Sequence, residues 1–167
     1  RRGSITYTIT INGTQGHVAY PHNADNPITY LVKILNDLKN TKLDSGNEHF
    51  EASNLEIVNI EVGNAASNVI PAKASAKINI RFNNLHTHGS LTGMIDSVCE
   101  KHAPSKYELT PHIPSECFIT KDEKFSSLMV ESVKEILGKT PVLSTSGGTS
   151  DARFIKDYCP VIEFGLT

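Results

Sequence analysis

Residues 74–83 read ASAKINIRFN, and this stretch decides the fold class of the chain. Apolar residues occupy every second position, with polar residues such as Lys77, Asn79 and Arg81 between them. A strict period of two is typical of a β-strand with one buried face and one open face. We therefore predict a strand here, with Lys77, Asn79 and Arg81 on the open face.

Three more segments show strand patterns. Residues 4–11 alternate isoleucine or tyrosine with threonine, and Asn12-Gly13 ends that strand. Residues 55–62 change phase between Ile57 and Val58, which predicts a β-bulge. Residues 106–110 form a short last strand.

Two predicted helices separate these strands. The first begins at Asn26-Pro27, because an Asx residue caps the first turn and proline needs no N–H partner there, and it ends near Asn40. The second begins near Ser90. Their inward stripes are Ile28, Leu31, Val32, Leu35 and Leu38, and then Leu91, Met94, Ile95, Val98 and His102. The order β-α-β-β-α-β predicts an α+β, ferredoxin-like unit over residues 3–110, with both helices on one face of a four-stranded antiparallel sheet.

The pattern changes after residue 110. We predict a helix from Asp122 to Gly138, a strand over residues 141–144, a helix over 149–157 and a strand over 161–164. The helix from Asp122 carries an inward stripe formed by Phe125, Leu128, Met129, Val133 and Ile136. Two helix–strand units cannot bury both faces of a parallel sheet, so we expect residues 111–167 to be part of a larger α/β domain and the chain to be a fragment.

Composition excludes several classes of protein. With 16 Lys+Arg against 18 Asp+Glu, the chain offers no positive field for nucleic acid. No apolar stretch approaches the ~20 residues of a membrane helix. The three cysteines stand in no C-x-x-C arrangement, which disfavours a disulfide framework and a zinc–thiolate site. We expect a cytoplasmic chain without nucleic-acid or membrane partners.

The residues alone leave more than one functional interpretation open for several motifs. His17 and His22 share a loop with Asp25, but zinc needs three or four convergent ligands. No G-x-S-x-G nucleophile motif and no phosphate loop is present. Residues 146–151, SGGTSD, are either a simple helix cap or a helix N-terminus that binds a carboxylate. Arg81 is either a solvated side chain or a bidentate clamp for a carboxylate.

Four motifs in order closely resemble the M20 peptidase group of two-zinc amidohydrolases. They are residues 16–22 (GHVAYPH), residues 67–71 (SNVIP), Arg81 in its strand, and residues 147–154 (GGTSDARF). The GHVAYPH motif and the RRGS start favour the desuccinylase branch over its deacetylase relatives. The chain resembles the complete lid of this group, followed by a segment of the catalytic domain. It departs from the usual pattern at Ser67, Ala152 and Leu166, where Asn, Gly and Pro are common.

The resemblance implies a bacterial enzyme of lysine and cell-wall precursor biosynthesis that hydrolyses N-succinyl-LL-2,6-diaminopimelate to succinate and LL-2,6-diaminopimelate. It implies two zinc ions in the full-length enzyme, whose ligands and general-base glutamate lie outside this chain. No metal ligand and no activity are therefore expected in the fragment. It also implies a homodimer through the lid, in which His17 reaches the partner's active site as the oxyanion donor. The positions that match substrate contacts are Arg1, Tyr20, Asn68, Arg81, Gly148 and Thr149.

Two other interpretations remain. One is a different M20 amidohydrolase, such as acetylornithine deacetylase or a dipeptidase. The other is a non-enzymatic ferredoxin-like module for dimerisation or ligand binding. Arg1 and Arg81 together favour the desuccinylase, because a mono-acetyl substrate offers one carboxylate fewer. The segment after residue 110 disfavours a free-standing module.

Overall fold

The computed structural model describes residues 1–120 and 122–165, so the departure noted at Leu166 lies outside the described residues. The long strands and the first two helices lie within residues 3–111. In chain order, the strands are β1 (Gly3–Asn12), β2 (Gly16–His17), β3 (Asn54–Glu61), β4 (Val69–Ile70), β5 (Lys73–Phe82) and β6 (Tyr107–Pro111). The helices are α1 (Pro27–Asn40), α2 (His88–His102), α3 (Glu123–Leu137) and α4 (Ala152–Ile155), with a 3-10 turn at Pro21–Asn23.

The main sheet has four strands in the order β3-β5-β1-β6, and every neighbouring pair is antiparallel. The hairpin strands β3 and β5 lie beside each other, and β1 is inserted between β5 and β6. This is the predicted ferredoxin-like arrangement. The register shifts between Ile57 and Asn59, which confirms the predicted bulge in β3.

The core lies between the sheet and the two helices. The apolar residues of the alternating strands are buried here, among them Ile5, Ile9, Ile78 and Ile80. Helix α1 buries Leu31, Ile34, Leu35 and Leu38. The predicted inward position of Val32 is wrong, because this side chain is 59% exposed and Ile34 takes its place on the buried stripe.

Capping residues determine where helices α1 and α2 begin. Asn26 caps α1 as predicted, since its side chain accepts a hydrogen bond from Ile28 N at 3.0 Å. Helix α2 begins earlier than predicted. Thr87 is its N-cap, and Thr87 and Ser90 exchange side-chain and backbone hydrogen bonds in a capping box. Ser90 is therefore the third helical residue rather than the cap.

The open face of the sheet is polar, as predicted. Lys77, Asn79 and Arg81 project from β5 opposite Thr8, Thr6 and Ser4 of β1. Asn79 is bonded across the strands, because its Nδ2 donates to Thr6 Oγ1 at 2.8 Å.

The segment after β6 departs more from the prediction. Helix α3 has Asp122 as its N-cap and Gly138 at φ +66° as its C-cap, as expected, but only Val133 of its predicted stripe is buried. The strands predicted over 141–144 and 161–164 are wrong, because a strand requires a hydrogen-bonded neighbour and none of the described segments pairs with them. The boundary at residue 110 remains a prediction. In residues 1–120 and 122–165, no helix is long and apolar enough to cross a membrane.

Candidate functional site

A small ribbon that the sequence did not predict joins two loops that resemble functional motifs. Gly16 and His17 in β2 pair with Ile70 and Val69 in β4. The ribbon continues at Val18, whose N–H donates to Asn68 O at 3.0 Å. The backbone thereby places His17 beside Asn68, although long elements separate them in the sequence.

Close backbone packing shapes the loop that carries His17. At its base, Thr14 and Asp25 exchange two backbone hydrogen bonds of 2.9 and 3.0 Å. A Cβ atom at position 16 would lie 2.7 Å from the Cβ of Ala24, so Gly16 permits the two sides of the loop to meet. The loop is therefore a folded hairpin rather than an open excursion.

One ring nitrogen of His17 is bonded to its own loop. The backbone N–H of Ala19 donates to His17 Nδ1 at 3.1 Å, so a neutral ring carries its proton on Nε2. The ring lies 6.0 Å from that of Tyr20, which in turn meets His22 edge-on at 6.3 Å. His17 and Tyr20 are exposed. The loop therefore offers a hydrogen-bond donor and an aromatic ring to a ligand or a second molecule.

A second group of candidate residues meets around Arg1. Its Nε donates to Glu163 Oε2 at 2.6 Å, and its Nη1 donates to the carbonyl of Ser146 at 2.5 Å. Gly147, at φ +93°, lies so close to Arg1 Nη1 that a Cβ atom would collide with it. Burial raises the pKa of Glu163, but the surrounding interactions, led by the hydrogen bond from Arg1, outweigh that effect and lower the pKa below its usual value. Arg1 is thus fixed against the segment that carries Gly148 and Thr149.

The carboxylate site predicted at a helix N-terminus is not formed in the expected way. Helix α4 begins at Ala152 and has four residues, and Asp151 makes no capping hydrogen bond with its side chain. Residues 146–149 are a loop, so their N–H groups are not aligned by a helix that starts at Thr149. Contacts to a ligand from Gly148 and Thr149 would come from loop backbone and a hydroxyl.

Arg81 belongs to the same end of the sheet as Arg1. It lies opposite Ser4 of β1 and Asn54 of β3, and no hydrogen bond or ion pair holds its guanidinium within residues 1–120 and 122–165. His17 follows the other end of β1. The ten residues of β1 span about 30 Å at ~3.4 Å per residue. The candidate residues of one chain therefore form two groups at opposite ends of β1, which we call the two half-sites.

Two residues at these half-sites escaped the sequence analysis. Glu163 binds Arg1, and the only sign of it in the sequence was an acidic residue inside the apolar run 161–164. Lys106 binds Asp25, which closes the His17 loop, across a long sequence separation that no local pattern reveals. Within the described part of the chain, no group of three or more His, Cys, Asp and Glu side chains is arranged to hold a metal ion.

Comparisons with known proteins agree with this architecture. The chain is 52% identical to a succinyl-diaminopimelate desuccinylase from Ehrlichia canis, over 100% of this chain and 44% of the relative. It is 51% identical to the desuccinylase of Parvibaculum lavamentivorans, over 99% of this chain and 43% of the relative. The chain thus spans less than half the length of these relatives.

Solved structures share the fold at low sequence identity. Aminopeptidase PepT from Bacillus cereus superposes with a TM-score of 0.71 at 18% identity, covering 93% of this chain and 41% of that one. An M20 family metallo-carboxypeptidase from Sulfolobus solfataricus gives 0.70 at 15% identity, covering 92% and 54%. The predicted lid fold is therefore confirmed. Residues 1–106 match the peptidase dimerisation domain family, M20_dimer, and the chain belongs to this family.

Proposed function

We propose that this chain is the lid, with an adjoining catalytic-domain segment, of a homodimeric zinc amidohydrolase that cleaves N-succinyl-LL-2,6-diaminopimelate into succinate and LL-2,6-diaminopimelate. The substrate class is supported by sequence identities of 52% and 51% to desuccinylases, over 100% and 99% of this chain. The observation that carries the proposal is that His17 follows one end of β1, a strand about 30 Å long, while Arg81 lies beside the other end. This separation fits a site assembled from two chains.

In this proposal His17 is the oxyanion donor. Because Nδ1 accepts the N–H of Ala19, a neutral ring carries its proton on Nε2, which has no partner among the described residues. The loop is held in shape by the β2–β4 ribbon. A preorganised donor aimed at developing negative charge contributes a factor of about 10²–10³ to kcat. Tyr20 and Asn68 border the same ligand position from the loop and the ribbon.

The carboxylates of the substrate would bind at the other half-site. Arg81 has a guanidinium without a protein partner among the described residues, which suits a bidentate contact. Arg1 uses Nε and Nη1 for Glu163 and Ser146, which leaves its Nη2 for a substrate oxygen. Gly148 and Thr149 lie in the segment that Arg1 holds, where they can contact the amide or a carboxylate.

Zinc ions in the full-length enzyme would activate the water that attacks the succinyl amide. The described residues of this chain do not fit such a metal site, since no three ligating side chains converge. We therefore assign metal binding to the rest of the full-length protein. What this chain contributes is substrate binding and a donor for the oxyanion.

The lid also offers a surface for a two-fold dimer. Strand β3 is at the edge of the sheet, and Val58 and Ile60 on it are 58% and 59% exposed. Val32 on the neighbouring helix α1 is exposed to the same extent. An exposed apolar edge strand normally pairs or is covered. A second copy placed on this edge would cover these residues under two-fold symmetry.

Subunit complementation tests the proposal. A full-length His17→Ala subunit is mixed with a subunit inactivated at its zinc ligands, and the heterodimer is isolated. If His17 acts across the dimer, the His17→Ala subunit keeps its zinc site and receives His17 from its partner. We expect roughly half the activity of a wild-type dimer, because one of two sites is rebuilt. No recovery in confirmed heterodimers would exclude the action of His17 across the dimer.

A comparison of substrates tests the reaction itself. The full-length enzyme should hydrolyse N-succinyl-diaminopimelate with a higher kcat/KM than N-acetylornithine, and Arg81→Ala should reduce that preference. Equal rates on both substrates would favour a different M20 amidohydrolase.

A further inference from the structure

One residue, Lys106, holds both ends of the loop that carries His17. At the start of the loop, the carbonyl of Lys106 accepts the backbone N–H of Asn12 at 2.8 Å. At its end, Lys106 Nζ donates to Asp25 Oδ2 at 2.5 Å. Lys106 itself immediately precedes β6 and lies outside every motif that resembles the M20 group.

Asp25 links this contact to the geometry of the loop. Its side chain receives Lys106 on one oxygen and Tyr30 OH on the other, at 2.8 Å. Its backbone forms the two hydrogen bonds with Thr14 that close the loop. The hydrogen bond from Lys106 and that from Tyr30 lower the pKa of Asp25, so the carboxylate stays charged at neutral pH.

Lys106 is held in place from more than one side. Its ammonium lies 3.1 Å from Tyr30 OH and 4.8 Å from the centre of the Tyr30 ring. Tyr30 is in α1, so the cluster connects the loop, the first helix and the start of the last lid strand. A movement of Asp25 would displace Thr14 through their two backbone hydrogen bonds. Because Gly16 packs closely against Ala24, this displacement would also shift the neighbouring His17.

We propose that Lys106 is a positioning residue for His17, acting through Asp25. This inference rests on the proposed function, because it takes His17 as the oxyanion donor. The ion pair is partly exposed, with side chains 39% and 31% accessible. Exposed pairs contribute little to global stability. The role of Lys106 should therefore show in the chemical step rather than in unfolding.

The test measures kcat and KM of the full-length enzyme with N-succinyl-diaminopimelate. Lys106→Met should lower kcat roughly 10-fold, because displacing a catalytic group by about 1 Å can cost up to ~100-fold, while KM stays within about twofold. Lys106→Arg keeps a cation that reaches Asp25 and should restore most of kcat. Lys101→Met is the matched control, since Lys101 also forms an exposed ion pair in the lid, with Asp37 at 2.8 Å and away from β3. The control should leave kcat within about twofold.

The His17→Ala background separates positioning from general damage. With the donor removed, Lys106→Met should lower kcat no further, because two residues that act as one unit are not additive. An unchanged kcat for Lys106→Met in the wild-type background would overturn the inference. An equal loss in both backgrounds would overturn it too, and the role of His17 would stand in either case. If His17→Ala itself leaves kcat unchanged, the proposed role of His17 fails and the inference fails with it.

Asp25→Asn provides a second variant if Lys106→Met does not fold. It keeps the size of the side chain and an oxygen for Tyr30, but it loses the charge that Lys106 binds. The same loss of kcat, again absent in the His17→Ala background, is expected. A kcat equal to wild type would contradict the inference.

Discussion

Asp44 organises the long connection between α1 and β3, and its removal should destabilise the lid measurably. Its carboxylate accepts hydrogen bonds from Gly46 N at 2.6 Å, from Ser53 N at 3.2 Å and from Asn83 Nδ2 at 2.8 Å. His86 Nε2 lies 3.0 Å from the other oxygen. The Asp44 side chain is 7% exposed, so these partners have little competition from water.

The magnitude follows from the pKa of Asp44. Burial disfavours the charged form, but hydrogen bonds from Ser53 and Gly46 outweigh it and lower the pKa from 3.8 to about 2. A lowering of the pKa from 3.8 to about 2 corresponds to about 2.4 kcal/mol of stability at neutral pH, at 1.36 kcal/mol per pKa unit. Asp44→Asn keeps the shape and removes the charge, so it should lower the free energy of unfolding by about 2 kcal/mol at pH 7.

The pH dependence has a definite sign. Because the folded pKa is below the unfolded one, the contribution of Asp44 is complete above the unfolded value of 3.8 and is lost as the pH falls through about 2. Urea unfolding of wild type and Asp44→Asn should therefore differ by about 2 kcal/mol at pH 7 and by roughly half of that at pH 3. Asp157→Asn is the control, since Asp157 forms an exposed pair with Lys156. A difference for Asp44→Asn below ~0.5 kcal/mol at pH 7, or one that does not change with pH, would refute the reasoning.

Three further results are expected. Arg81→Ala in the full-length enzyme should raise KM roughly 10- to 100-fold with a smaller change in kcat, because it removes a carboxylate contact present before and during the reaction; steady-state kinetics measure this. Ile60→Lys should weaken the dimer at least ~10-fold in sedimentation experiments, because a charge would enter the apolar edge of β3; an unchanged dimer would place the interface elsewhere. Burial raises the pKa of Cys99 to about 12, so iodoacetamide at pH 8 should label the exposed Cys159 and spare Cys99 until the protein unfolds, as mass spectrometry can show.

Local patterns were sufficient for the main sheet of the lid and for the start of α1. The alternation in residues 74–83 identified both a strand and its open face, and Asn26-Pro27 located the start of α1. The phase change at Ile57 located the bulge. Each of these features is encoded within a few consecutive residues, so tertiary context did not need to be known.

Features that depend on distant partners were missed or wrong. The β2–β4 ribbon has two residues in each strand, too few for a period, and exists because two loops meet. The strands expected over 141–144 and 161–164 have the right composition, but the described residues give them no pairing partner. The contacts from Arg1 to Glu163 and from Lys106 to Asp25 join opposite regions of the sequence. Side-chain pairs of this kind have no local signature.

The spacing of the two half-sites explains why a lid of this family would need a partner. A rigid sheet about 30 Å long keeps the His17 loop and the Arg81 end apart, and no rotamer change of either side chain closes that gap. His17 is exposed, and its Nδ1 already accepts the N–H of Ala19, so in the proposed function its Nε2–H would act on a group from another part of the assembly. A two-fold dimer through β3 would supply such a group twice, once for each chain. Catalysis would then require the dimer, and loss of the β3 contact should remove activity even where each lid stays folded.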